Sequence, residues 1–240
     1  MSLSAPVFQL KRQAKQLSRE LGIPLHAALD RIARKEGFSS WSLLAAQIPQ
    51  VSSERPASAL IDQLRPGDLV LLGARPGHGK TMMGLELIAE AIKAGRRGVF
   101  FTLEFNEQEA LDRFQSVARD LEPKPESLQI DASDAISADY VMKRIGSAPR
   151  GTIAVIDYLQ IMDQRRSEPE LSKQVAALKA FAAQSGVIIV FISQIDRVYE
   201  LSAKPIPELA DVRLPNPLDL ALFDKACFLN NGQTRIDTLN

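Results

Sequence analysis

The stretch "LVLLGARPGHGKTMMGLELIAEAI", Leu69 to Ile92, decides the reading of this chain. An apolar run stops at a glycine-rich turn, and a Lys-Thr pair then opens an amphipathic segment with Met83, Leu87 and Ile88 on one face. Ala74 to Thr81, "ARPGHGKT", fits the phosphate-loop pattern, with alanine where glycine often opens it. The residue types follow from the chemistry of holding phosphate. Gly77 and Gly79 let the backbone curl so that successive N–H groups point at phosphate oxygens. The helix that starts there adds its positive N-terminal end. Lys80 is placed to reach the β- and γ-phosphates, and the Thr81 hydroxyl to complete the shell of a Mg²⁺ ion. The predicted nucleotide-binding residues are therefore Arg75, Pro76, Gly77, His78, Gly79, Lys80, Thr81 and Met82. His78 contributes its backbone N–H rather than its ring.

Working outward, short apolar runs alternate with helical segments: "LVLL", "VFFTL", "SLQI", "TIAVI" and "VIIVFI", with helices near 80–94, 107–120, 138–147 and 170–185. Asn106 followed by Glu109 reads as a capping box, and Ser167 before Pro169 as another helix start. Strands that are apolar throughout are covered on both faces, and helices between them imply a parallel α/β sheet. Upstream, residues 8–47 read as three short helices. Leu10, Ala14, Leu17 and Leu21 mark the first, and Leu25, Leu29, Ile32 and Ala33 the second, with Gly37 as its stop. The third runs from about Ser40 past Trp41 and Leu44. The expected organisation is a three-helix module over 1–48, a Pro/Ser-rich linker over 49–58, and an α/β domain over 59–240.

Composition narrows the classes. The chain has 240 residues, 45% of them hydrophobic, which is enough for a core, and its formal net charge of zero gives no global pull toward nucleic acid or membrane. No apolar run is long enough to span a bilayer and no secretory leader is recognisable, so a cytoplasmic location without membrane contact is expected. The one cysteine, Cys227, excludes an internal disulfide framework and reads as core. His and Cys form no metal cluster, which leaves Mg²⁺ as the expected metal.

Three further residues extend the site. Asp157 closes the buried strand "TIAVID", where open sheets bind ligands, and can hold Mg²⁺. Glu104 ends the strand "GVFFTLEF" and is the candidate to orient and deprotonate a water, though spacing alone equally describes a solvated strand-end glutamate. Gln194 ends "VIIVFISQ", where a neutral amide can sense the γ-phosphate or lie simply at the surface.

"GARPGHGKT", "FFTLEF", "VIDYLQIM" and "FISQIDR", in that order, resemble the ATPase domain of DnaB-type replicative helicases in the RecA-like superfamily, over about residues 60–240. The resemblance implies Mg²⁺-ATP as cofactor and Lys80, Glu104 and Gln194 as catalytic residues, with Thr81 and Asp157 on the metal. It also implies action on single-stranded DNA as a homo-oligomer, a hexamer among the options. Its DNA-facing loops match "MDQRRSEPE" and "RVYELSAKPIPELADVR", making Arg165, Arg166, Arg197, Lys204 and Arg213 contact candidates beside the alternative of solvated loop charge. Three departures accompany it. The family's late Lys-x-Arg pair has no match in "CFLNNGQTRIDTLN", where Arg235 has the wrong spacing; the C-terminal part is short; and the N-terminal module is small. They leave room for a KaiC-like, nucleotide-switched interaction protein with slow hydrolysis. Residues 1–50 carry seven Lys or Arg against three Asp or Glu, including Lys11, Arg12, Lys15 and Arg19 on the first helix. Because "SSWSLLAAQ" has no arginine, lysine or asparagine to read base edges, a partner-docking role is favoured for 1–48 over a DNA-reading one.

Overall fold

A computed structural model describes residues 7–47, 56–159, 169–202, 204–214 and 216–239. The chain divides into two compact units, residues 1–53 and 54–240.

The described part of the first unit forms three helices: α1 (Val7–Leu21), α2 (Leu25–Lys35) and α3 (Trp41–Gln47). Leu10, Ala14, Ala28, Ile32, Ala33 and Leu44 are buried together, as the helical spacing of the first two segments requires. Helix α2 ends as Gly37 predicts. Gly37 takes a φ of 87°, the Phe38 N–H bonds to Ala33 O at 2.9 Å, and the Gly37 N–H to Arg34 O at 3.1 Å. This pair of bonds satisfies the last carbonyls of the helix. Asp30 on α2 accepts the Trp41 N–H at 2.9 Å and so sets where α3 begins. Lys15 and Arg19 are exposed. The side chains of Lys11 and Arg12 lie outside the described residues.

The second unit is built on a sheet of seven strands in the order β3-β2-β4-β5-β1-β6-β7. The strands are β1 (Leu69–Ala74), β2 (Gly98–Thr102), β3 (Leu128–Asp131), β4 (Ile153–Asp157), β5 (Ile188–Gln194), β6 (Lys225–Asn230) and β7 (Gln233–Thr238). All neighbours are parallel except β6 and β7. Residues alternate between two cores. Leu69 and Leu71, Ala154 and Ile156, and Ile189 and Phe191 enter one; Val70 and Leu72, Ile153 and Val155, and Val190 and Ile192 enter the other. Burial on both faces explains why these strands read as unbroken apolar runs.

The α-helices described in this unit are α4 (Pro56–Ile61), α5 (Lys80–Lys93), α6 (Glu107–Val117), α7 (Ala138–Ile145) and α8 (Leu171–Ser185). The α6 capping box is formed: Asn106 Oδ1 accepts the Glu109 N–H at 2.9 Å, and Glu109 Oε2 accepts the Asn106 N–H at 3.1 Å. Ser167 lies outside the described residues, and α8 starts at Leu171 after Glu170.

Two differences from the sequence expectation have clear causes. Helix α4 begins inside the stretch assigned to the linker, because Ala57 and Leu60 are wholly buried in the core beside α5 and Pro56 suits a first helical position. The sheet also has two strands more than the five apolar runs. They form a hairpin around Asn231 and Gly232, with φ values of 51° and 81°. Both central residues at positive φ define the tight hairpin turn that Asn-Gly favours.

Helix α5 lies close on the sheet at Gly84. A Cβ there would sit 2.9 Å from Ile192 Cδ1 and 3.0 Å from Val155 Cγ1. Gly84→Ala is therefore expected to destabilise the domain by about 1–2 kcal/mol. Ile192→Val removes the obstructing methyl, so the double variant should lose less than the sum of the two singles. Urea unfolding of the four proteins tests this; strictly additive losses would show that the helix does not press on Ile192.

Candidate nucleotide site

The parallel sheet gathers the predicted residues at one edge. In the order β2-β4-β5-β1, Thr102 lies opposite Asp157, Asp157 opposite Ile192, and Gln194 opposite Ala74. Four neighbouring strands thus end together, and Glu104, Asp157, Gln194 and the loop after Ala74 all leave from that edge. The carboxyl edge of such a sheet is where ligands bind.

The loop from Arg75 to Gly79 has the conformation its glycines predict. Gly77 and Gly79 take φ values of 79° and 85°, and no atom lies within 4 Å of where a Cβ would stand at either. The backbone shape, not crowding by the protein, requires glycine. Gly79 is the residue before α5, and its carbonyl accepts the Met83 N–H at 2.8 Å. The first N–H groups of α5 are left to face the loop.

Behind the loop, Lys80 is buried, Thr81 and Met82 are half-buried, and Pro76 is exposed. Asp157 is wholly buried, and neither of its carboxylate oxygens has a hydrogen-bond partner. Burial pushes its pKa up to about 6, with the charge of Glu104 adding to the rise; the nearby Thr81 hydroxyl and the Lys80 ammonium oppose it. Thr81 acts there as a neighbour rather than through a formed bond, since both oxygens are unpartnered. A buried carboxylate with two open oxygens beside a hydroxyl is a donor set suited to a hard divalent cation. The residues present therefore fit Mg²⁺, with Thr81 and Asp157 as the groups to hold it. Among the described residues no group of three His, Cys, Asp or Glu side chains converges on another metal position.

Glu104 does not end β2. It stands two residues beyond Thr102, exposed, with its N–H bonded to Thr102 Oγ1 at 3.0 Å. Its charge still reaches Asp157. Gln194 is half-buried, and its carbonyl accepts the Arg213 N–H at 2.8 Å.

Two loop side chains make bonds that no sequence motif announces. Arg75 Nη1 donates to Ile195 O at 2.9 Å, and its Nε and Nη2 both donate to Glu200, with the Nε bond at 3.0 Å. This guanidinium holds Glu200 below the usual carboxylate range. His78 uses its ring as well as its backbone: Nδ1 accepts the Asn231 N–H at 3.2 Å. Burial and the Arg75 charge lower the His78 pKa, against an opposing pull from Glu200, which favours the neutral ring this bond needs.

The described DNA-contact candidates lie on two segments joined by the Ile195–Val212 bridge and the bond from the Asp196 N–H to Asp211 O. Arg165 and Arg166 lie outside the described residues. Arg197 and Arg213 are exposed. Lys204 is paired with Glu208 and lies 3.4 Å from Asp211, so its charge is already answered by carboxylates. Arg235 is bound to Asp237 at 2.9–3.0 Å and lies 5.5 Å over the Phe228 ring. Cys227 is buried in β6, between β1 and β7, its thiol pushed up to about 12, as a core cysteine should be. No helix of the described residues is long and apolar enough to cross a membrane.

A mostly parallel sheet with helices on both faces, a glycine loop of phosphate-binding pattern after a central strand and a buried strand-end aspartate define a RecA-like P-loop NTPase domain. A family model described as the DnaB-like helicase C terminal domain matches residues 57–132 and 124–217, and the chain belongs to that family. Curated relatives include the replicative DNA helicase DnaB of Leifsonia xyli, 27% identical over 186 residues covering 64% of this chain and 40% of that one. The replicative DNA helicase DnaB of Synechocystis is 28% identical, covering 65% of this chain and 21% of that one. The chain thus matches two fifths or less of the length of these two relatives. Among solved structures, an isolated ATPase domain superposes with a TM-score of 0.57 at 17% identity, covering 78% of this chain and 79% of that one. A DnaB-like replicative helicase, solved in a study of its interactions with primase, gives 0.59 at 18% identity over 92% of this chain and 65% of that one. At these identities the structural likeness speaks to the fold.

The Asp157 pKa gives a signed test. A carboxyl group whose folded pKa is raised contributes stability that is fully present below its unfolded pKa, near 3.8, and lost as pH rises through about 6. In metal-free, nucleotide-free protein, Asp157→Asn is expected to raise stability at pH 8 by up to about 3 kcal/mol. The gain should shrink toward pH 4. Denaturant melts across that range check it; a variant that is less stable than wild type at pH 8 contradicts the electrostatic account.

Proposed function

We propose that this protein binds Mg²⁺-ATP and hydrolyses it, and that it acts on single-stranded DNA as an oligomer. The observation that carries this reading is the buried, unpartnered carboxylate of Asp157 beside Lys80 and Thr81. An anion held in such a place needs a cation, and the phosphate loop next to it needs an anion.

The chain's own residues divide the work. The N–H groups of the 75–79 loop and of the first turn of α5 bind phosphate oxygens, and Lys80 draws the β- and γ-phosphates toward the sheet edge. Thr81 and Asp157 hold the metal, whose charge offsets that of the triphosphate when bound. Glu104, exposed at the same edge, accepts a proton from the attacking water at its carboxylate. Gln194 offers a neutral amide to the γ-phosphate, and its own carbonyl is tied to the segment that carries Arg213. Membership of the DnaB-like family supports the DNA and oligomer parts of the proposal, with Arg165, Arg166, Arg197 and Arg213 as the contact candidates. The 1–48 module is assigned to partner docking.

A second reading is favoured by one observation. Arg235, the arginine nearest to where the family carries its Lys-x-Arg pair, is engaged by Asp237 and Phe228 within its own hairpin. Without an arginine lent across a subunit boundary, hydrolysis is slow, because such a group is worth about 10³–10⁵ in rate. A nucleotide-switched interaction protein would have this character.

Phosphate release measured with and without single-stranded DNA, together with oligomeric mass, separates the two. The motor reading expects stimulation by DNA, and loss of about 100-fold or more in Lys80→Ala and Glu104→Gln. Nucleotide binding with slow turnover that DNA leaves unchanged selects the switch. Absence of both binding and release overturns each.

A further inference from the structure

We propose that Glu200 is a positioning residue for the phosphate loop, acting through Arg75 and tying the loop's conformation to the turn that follows the Gln194 strand. The proposal rests on the reading of 75–81 as the nucleotide loop. It assigns a role to a residue that the sequence analysis left without one.

The geometry is specific. Arg75 is the first residue of the loop after β1, and its side chain is only 12% exposed. Its guanidinium bonds run to one segment: Nη1 to Ile195 O, and Nε with Nη2 to a single Glu200 oxygen. Ile195 immediately follows Gln194, and its N–H donates to Ala74 O at 3.1 Å, so backbone and side chain hold the same junction. Glu200 lies in a 3₁₀ turn, Arg197–Leu201, which Asp196 caps by accepting the Val198 N–H at 2.8 Å. The other shoulder of the loop is tied through His78 to Asn231 in the β6–β7 turn. The loop is therefore held at Arg75 and His78, on either side of Gly77, by chain that comes more than a hundred residues later.

This arrangement has a functional consequence. The 197–201 turn is presented to solvent, with Val198 68% and Leu201 87% exposed. Displacing that turn moves Glu200, and Arg75 moves with it or loses its partner. The orientation of the loop amides then changes although nothing touches them. By linkage, nucleotide bound in the loop biases the position of the turn in return. Glu200 is itself exposed, so water can take its place at the guanidinium and its loss costs little global stability. Its removal should therefore register in the loop rather than in the melting of the domain.

The experiment compares wild type with Glu200→Ala, Glu200→Gln, Arg75→Ala and the Arg75→Ala/Glu200→Ala double variant, all in the full chain. Amide exchange of Gly77, His78 and Gly79 without nucleotide is expected to quicken about three- to fivefold in Glu200→Ala. Mg²⁺-ATP affinity should weaken by a similar factor while the thermal midpoint stays in place. Glu200→Gln, which keeps an acceptor oxygen, should recover part of both effects. The double variant should be no worse than Arg75→Ala alone, since the two residues act as one unit. Unchanged loop exchange in Glu200→Ala, or fully additive effects in the double variant, overturns the proposal. If wild type binds no ATP, the nucleotide reading falls, while the exchange measurement still decides whether Glu200 positions the loop.

Discussion

Everything at the site depends on how near α5 comes to the sheet. Gly84 has no side chain to hold the helix off Ile192 and Val155, so its first turn begins directly at the carboxyl edge of β1. That nearness places Lys80 and Thr81 beside the end of β4, where Asp157 is buried. A helix lifted by even one methyl group would separate the ammonium and hydroxyl from the carboxylate they must work with. The same economy recurs at Gly98, where a Cβ would collide with Ile88 Cγ2 further along α5. Two close approaches along one helix set its height above the sheet.

The charges at that edge are arranged to be incomplete. Asp157 carries the cost of burial without a hydrogen bond to offset it, and Glu104 adds repulsion from the solvent side. Three other carboxylates of the domain are matched. Lys225 donates to Asp68 at 2.6 Å, Lys179 pairs with Asp224, and Asp131 accepts from both Tyr140 and Arg144. The contrast separates ion pairs that serve the architecture from a carboxylate whose partner must come from outside. Unpaired, strongly shifted groups at a sheet edge are what a binding site looks like before its ligand arrives.

Local patterns were legible because they need only neighbours in sequence. The double positive φ of Gly77 and Gly79, the capping box at Asn106, the Gly37 helix stop and the buried strands β1, β2, β4 and β5 all follow from short-range rules, and each is present, whereas β3, "LQID", is a half-buried edge strand. The sixth and seventh strands escaped. The signal was there, in Asn231-Gly232 between two runs of strand-like residues, but "KACFLN" and "QTRIDT" are too mixed to stand out as buried strands. Helix α4 was hidden for a related reason. Its proline and serine suggest a linker, and only the core against which Ala57 and Leu60 pack makes it a helix.

From its sequence alone, this protein is committed to a parallel α/β sheet, a glycine loop of phosphate-binding pattern at residues 74–81 and a strand-end aspartate, since apolar periodicity and glycine spacing are carried by consecutive residues. Which partners those residues meet is another matter. That Asp157 is left without a hydrogen bond, that Lys204 is claimed by Glu208, and that Arg75 reaches Glu200 across 125 positions of chain were decided by the tertiary structure. The physical reason is that burial and pairing depend on which strands lie side by side, and the order β2-β4-β5-β1 is not the order in which the chain is written.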